Sequence, residues 1–195
     1  MLSLREFGFI LPGLATGLTI HEYNHVLVAK LLGDSSAAKA GRLTLNPFKH
    51  LVPLGLLALF VLGFGWAKPV VINIYNFKRP RLYFLLTSLA GPFSNLLLAA
   101  VIIFSINIVP MGMNVLTVLY LAAYINVVLA VINLLPVPPL DGSRIWTVLF
   151  PKLRPVSRRW TNLIIIVFIL IVLRFGLLDR IFEYILSVVD SLIFI

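Results

Sequence analysis

The chain has 195 residues, 61% of them hydrophobic and 12% charged, with a mean hydropathy of +1.05. A water-soluble domain carries about twice that charged share, so the composition points to a polytopic membrane protein and leaves no polar stretch long enough for an appended soluble domain. Sixteen basic residues against seven acidic ones, formally +9, fit basic flanks on cytoplasmic span ends better than a nucleic-acid partner. No cysteine is present, which excludes disulfides and thiolate metal ligands.

Along the chain, Met1–Glu6 precede an apolar run reaching Leu32. It is too long for a signal-peptide core and lacks a small-residue cleavage pattern, so a retained helical span is expected over Phe7–Leu32. Residues 39–77 differ in texture. Gly41-Arg42-Leu43-Thr44-Leu45-Asn46-Pro47 alternates polar and apolar residues before a breaker, and Val70–Tyr75 is a second β-branched run. Both predict strands. Leu51–Trp66 between them is apolar but broken by Pro53, Gly55, Gly63 and Gly65. Core helices are expected over Leu82–Val109 and Val115–Leu135, a loop and short helix over 136–150, and two C-terminal helices over Trp160–Leu178 and Arg180–Ile195. The last is amphipathic, with Asp179, Glu183, Ser187 and Asp190 at helical spacing, which predicts a packing helix with one wet face. The expected fold is an all-α polytopic membrane protein. It is one domain over 1–195, with about four to five transmembrane helices and a small re-entrant β element near the cytoplasmic face.

Charge orients this arrangement. If Leu51–Trp66 dips in and returns, Lys30, Lys39, Arg42, Lys49, Lys68, Lys78, Arg79 and Arg81 share one face. Arg144, Lys152, Arg154, Arg158 and Arg159 join them after two more crossings. The other face keeps Arg5, Arg174 and Arg180. The positive-inside rule then places the N-terminus outside and the multi-pass chain in the cell membrane.

His21-Glu22-Tyr23-Asn24-His25 lies within the first expected helix. Residues four apart on a helix project about 40° from each other, so both imidazoles can reach one metal ion. Glu22 points to a neighbouring sector, where it can take a proton from water rather than bind metal. Ionisable groups within a span are costly and mark functional sites. A hydrolytic zinc ion takes three protein ligands, and His50 and Asp141 are the remaining candidates. His50 adjoins Lys49 in a loop, a setting for a solvated or hydrogen-bonding role. Asp141 follows the proline-broken stretch Asn133-Leu134-Leu135-Pro136-Val137-Pro138-Pro139-Leu140, which forces extended chain at depth and aims a carboxylate inward. A helix N-cap for 142–149 is its plainer role.

These residues carry a family resemblance. The 21–25 motif, Gly91-Pro92-Phe93-Ser94-Asn95, and the Asn133–Gly142 stretch ending in Leu140-Asp141-Gly142 together resemble the site-2 protease family of intramembrane zinc metalloproteases. Gly41–Pro47 and Gly63–Pro69 are similar to its small prokaryotic branch, without a PDZ-like or nucleotide-sensing domain. The resemblance spans residues 15–150. It implies one Zn2+ held by His21, His25 and Asp141, with Glu22 as catalytic acid/base and transmembrane proteins or peptides as substrates in the lipid bilayer. It also implies that Asn95 and Asn133 lie near the substrate backbone or developing oxyanion; hydrogen bonding between helices is the plainer role for both. Asn24 and Val52 depart from the family's usual small residue and Asp. An unwound substrate helix needs backbone partners, and Gly41, Arg42, Leu43, Thr44, Leu45 and Asn46 are expected to supply them as a strand edge. A metal transporter with the same His/Asp site is the rival reading, and a catalytically dead scaffold the second. A transporter would show paired repeats and a continuous polar path; here the polar groups converge on one point.

Overall fold

The structure, a computed structural model, describes residues 3–50, 52, 55, 60, 68, 70–150 and 177–193. Its α-helices are α1 (Leu4–Leu31), α2 (Ser36–Lys39), α3 (Pro80–Ile108), α4 (Met113–Asn133), α5 (Asp141–Leu149) and α6 (Leu177–Ile193). Short 3-10 turns occupy Pro47–Lys49 and Ile74–Asn76.

Helices α1, α3 and α4 pack against one another and form the centre of the molecule. The α1–α4 approach is set by Gly13 and Gly17, one turn apart. A Cβ on Gly13 would lie 2.6 Å from Ala122 Cα, and one on Gly17 would lie 2.9 Å from Asn126 Oδ1. Small residues at this spacing let helix backbones close together where lipid gives no hydrophobic drive to association. Helix α5 docks on α3, and α6 lies across α3 and α4.

Two described helices, α3 and α4, are long and apolar enough to cross a membrane, and only 28% and 22% of their most apolar windows are buried. The exposed side of α3 presents Phe93, Leu97, Val101, Phe104 and Ile108, an apolar stripe at helical spacing. Water would not tolerate such a stripe on a monomer; lipid does. The chain is a membrane protein.

The expected fold needs two corrections. The first concerns spans: among the described residues two helices meet the length and hydropathy requirement, against the four to five expected over the whole chain. Helix α1 is 28 residues long, but Arg5, Glu6, His21, Glu22, Asn24, His25 and Lys30 interrupt its apolar character. Most of Leu51–Trp66 and Trp160–Leu178 lies outside the described residues. The amphipathic α6 has 17 residues and buries Ile185, Val189 and Ile193 against α3 and α4. Its Asp190 is not on a wet face, since it accepts from Tyr120 Oη at 2.5 Å.

The second correction concerns the β element. No β-strand exists among the described residues, so no strand edge forms over Gly41–Asn46 and the expected pairing with substrate is withdrawn. Side chains out-compete the ladder here. Asn46 Oδ1 accepts from Phe48 N and so caps the 47–49 turn, and Thr44 Oγ1 accepts from Asn46 N. Val70–Tyr75 fails similarly: Asn73 caps the 74–76 turn and gives its own N–H to Asp34.

Candidate metal centre

Helix α1 carries His21 and His25 on one face, 4% and 2% exposed. Their Nε2 atoms stand 3.0 Å apart. Each ring is aimed by its other nitrogen. His21 Nδ1 donates to Asn95 Oδ1 at 2.6 Å, and His25 Nδ1 donates to the Thr87 carbonyl at 2.7 Å, both on α3.

Asp141 arrives from the far end of α4. Pro136, Pro138 and Pro139 cannot continue that helix, and the chain restarts as α5 with Asp141 as its first residue. Leu140, not Asp141, occupies the N-cap position. The α5 start is held tight against the α4 end, because a Cβ on Gly142 would lie 2.2 Å from Leu135 O. Asp141 Oδ2 thereby lies 3.0 Å from both His21 Nε2 and His25 Nε2. Its Oδ1 faces Arg144 Nη1 at 3.4 Å.

Does this cluster fit a metal ion? With protons on Nδ1, neutral imidazoles present bare Nε2 lone pairs. Two lone pairs and a carboxylate oxygen then face one another at 3.0 Å. A proton on one Nε2 would satisfy a single contact; one cation satisfies all three. Zinc bonds of about 2.0–2.1 Å in a tetrahedron would set the ligand atoms roughly 3.3 Å apart, close to what is seen. Gly91 supplies the space, since a Cβ there would stand 2.3 Å from His25 Nε2 and 2.6 Å from His21 Nε2. The donor set fits, and among the described residues His21, His25 and Asp141 form a group able to hold one metal ion.

The other expected site residues fall in different places. Glu22 is 9% exposed and makes no side-chain hydrogen bond among the described residues. Asn95 is fully buried with both amide ends engaged between helices. Asn133 donates to Leu129 O within α4, and no hydrogen bond ties it to the metal group. In Gly41–Asn46, Leu43 packs on Val26, Ala37 and Val70, and Arg42 donates to the carbonyls of Lys49 and Lys68. His50 is fully buried rather than solvated. It contacts Thr44 O through Nε2 at 2.7 Å and takes no part in the metal group. Sequence reasoning assigned no role to Thr87, Gly91 or Asn126. Thr87 acts through its backbone, which leaves no trace in residue type, whereas Asn126 was visible as a polar residue in an apolar helix.

Two imidazoles from α1 and a carboxylate from α5, converging among helices faced with apolar side chains, define a metallohydrolase embedded in the membrane. Residues 110–175 match the model of Peptidase family M50. A Bacillus subtilis (strain 168) protein named "Putative zinc metalloprotease YwhC" is 44% identical over 152 residues, 73% of this chain and 69% of its own. "Putative zinc metalloprotease Rip2" of Mycobacterium tuberculosis is 31% identical over 159 residues; the match takes 78% of this chain but about 60% of the Rip2 length. "Putative zinc metalloprotease MJ0611" of Methanocaldococcus jannaschii is 29% identical over 144 residues, 73% of this chain and 71% of its own. No solved structure matches.

The chain belongs to peptidase family M50. It is a zinc-dependent intramembrane protease of the site-2 type, and Zn2+ is the cofactor its buried histidine and aspartate donors specify.

Proposed function

We propose that His21, His25 and Asp141 are the zinc ligands and that Glu22 is the catalytic acid/base for hydrolysis of peptide bonds in transmembrane substrates. The observation that carries this reading is the convergence of three ligand atoms at 3.0 Å, with both Nδ1 atoms committed elsewhere. Bound zinc supplies Lewis acidity, acidifying water and polarising a carbonyl. The chain's own residues do the rest. Thr87 O and Asn95 Oδ1 hold the two rings in register, and Gly91 keeps space beside them. Glu22, with no competing hydrogen bond among the described residues, takes the proton of the attacking water on its carboxylate. It then delivers that proton to the leaving amine nitrogen.

The site sits near one membrane face, which we assign to the cytoplasm. His25 and His21 are 6 and 10 residues from the α1 end at Leu31, roughly 9–15 Å along the axis. Thr87 and Gly91 lie in the third and fourth turns of α3, and Asp141 just beyond the end of α4. That face also carries the basic cluster. Lys68 N donates to His50 O at 2.8 Å, and Arg42 reaches the Lys49 and Lys68 carbonyls, so these cations share one level. With cations inside, the N-terminus lies outside.

The test is purified protein in detergent, assayed for bound zinc and then for cleavage of single-span substrates. Glu22→Gln should keep parental zinc and lose cleavage by about 10²-fold or more. Parental cleavage by Glu22→Gln would overturn its role.

A further inference from the structure

We propose that Asn126 is a positioning residue for the metal site, acting on His21 through Asn95. The inference rests on the reading of His21 as a zinc ligand. Asn126 lies in the middle of α4, fully buried among apolar neighbours. An amide there is costly unless both ends are bonded, and both are. Its Nδ2 donates to Ala122 O at 2.8 Å, and its Oδ1 accepts from Asn95 Nδ2 at 2.7 Å. Asn95 Nδ2 gives its second hydrogen to Gly17 O at 3.0 Å, and its Oδ1 accepts from His21 Nδ1 at 2.6 Å.

The direction of every bond in this chain is forced from its far ends. Ala122 O and Gly17 O are backbone carbonyls and can only accept. Asn126 must therefore turn its NH2 to Ala122 and its oxygen to Asn95. Asn95, meeting two acceptors on one side, must turn its NH2 there and its oxygen to His21. His21 Nδ1 must then carry the proton, which leaves Nε2 bare toward Asp141 and His25. If the Asn95 amide were reversed, its NH2 would face Nδ1, the ring proton would move to Nε2, and the lone pair that holds the metal would be lost. Asn126 supplies one of the two acceptors that prevent this reversal. Partners of this kind set the tautomer and orientation of a metal-binding histidine. The same geometry gives Gly17 two tasks: its carbonyl accepts from Asn95, and its missing side chain leaves room for Asn126 Oδ1.

The experiment measures zinc affinity by chelator competition on the full chain in detergent. Asn126→Leu, similar in size without polar atoms, should bind zinc about 10–100-fold more weakly, as should Asn95→Leu. The double variant should bind no more weakly than Asn95→Leu alone, because Asn126 acts only through that residue. A structural role unconnected to the relay would instead make the two losses multiply, which would overturn the proposal. Should Asn126→Leu not fold, Asn126→Ala carries the same expectation. Parental zinc affinity in either, with His21→Ala empty, would sink the relay alone. A parent without zinc, or a His21→Ala variant that binds as well as the parent, would overturn the metal reading first.

Discussion

Gly91 on α3 lies so close to His25 on α1 that a Cβ built on it would stand 2.3 Å from the Nε2 atom. No rotation of a methyl group relieves that contact, so the ring must move. Alanine is a better helix former than glycine by about 1 kcal/mol, which leaves the helix itself unharmed. Gly91→Ala should therefore lose zinc and about 10²-fold in cleavage rate, the cost of a displacement near 1 Å. Its Tm should fall, because overpacking costs about 1–3 kcal/mol and the stabilisation from bound zinc is lost with the metal. Parental zinc binding by this variant would show that the three ligands do not meet beside Gly91.

Metal removal separates the ligand set from the surrounding fold. A ligand at about 100 times its Kd stabilises the native state by about 2.7 kcal/mol. Chelation should lower the Tm of the parent and abolish cleavage, with zinc restoring both. In Asp141→Ala, whose third ligand is gone, chelation should leave the Tm nearly unmoved. A parent Tm indifferent to chelator would contradict this.

Asp34 joins the loop after α1 to the segment before α3. Its Oδ1 accepts from Ser36 N, Ser36 Oγ and Asn76 Nδ2, and its Oδ2 accepts from Asn73 N. Burial by itself would raise the carboxyl pKa, but the hydrogen bonds from Ser36, Asn76 and Asn73 outweigh it and hold the group below the usual carboxylate range. A depressed folded pKa contributes stability above the unfolded value of about 3.9, lost as pH falls through the folded one. The parent should lose more Tm than Asp34→Asn between pH 5 and pH 3. At pH 7, Asp34→Asn should be less stable by about 1.5–3 kcal/mol. Parallel acid curves for the two proteins would refute the assignment.

Orientation is accessible because the chain has no cysteine of its own. Lys39 and Lys68 are exposed, as is Gly112 in the turn between α3 and α4. Single replacements Lys39→Cys and Lys68→Cys should label from the cytoplasmic side and Gly112→Cys from the opposite one. Labelling of Lys39→Cys and Lys68→Cys from different sides would break the shared face.

Local pattern determined the parts of this protein that depend on local geometry. His21 and His25 four residues apart share a helix face whatever surrounds them, and an apolar run with no charge must leave water. The prolines after Asn133 had to end α4, and Asp141 stood out as a carboxylate in apolar sequence. Alternation over Gly41–Asn46 was ambiguous by nature, because a period of two is met by a loop as easily as by a strand. Asn46, Thr44 and Asn73 settled it by bonding nearby backbone, and the pattern does not encode that competition.

What only the tertiary structure decided are relations between residues far apart in the chain. Asn95 faces His21 across 74 positions and Asn126 across 31. Gly91 is required because two rings from another helix occupy the space its side chain would fill, and Thr87 serves through a carbonyl that every residue possesses. Such contacts depend on how closely α1, α3 and α4 approach, and the α1–α4 part of that approach follows from Gly13 and Gly17 meeting Ala122 and Asn126. Helical periodicity places side chains around an axis; it carries no information about where the next axis lies.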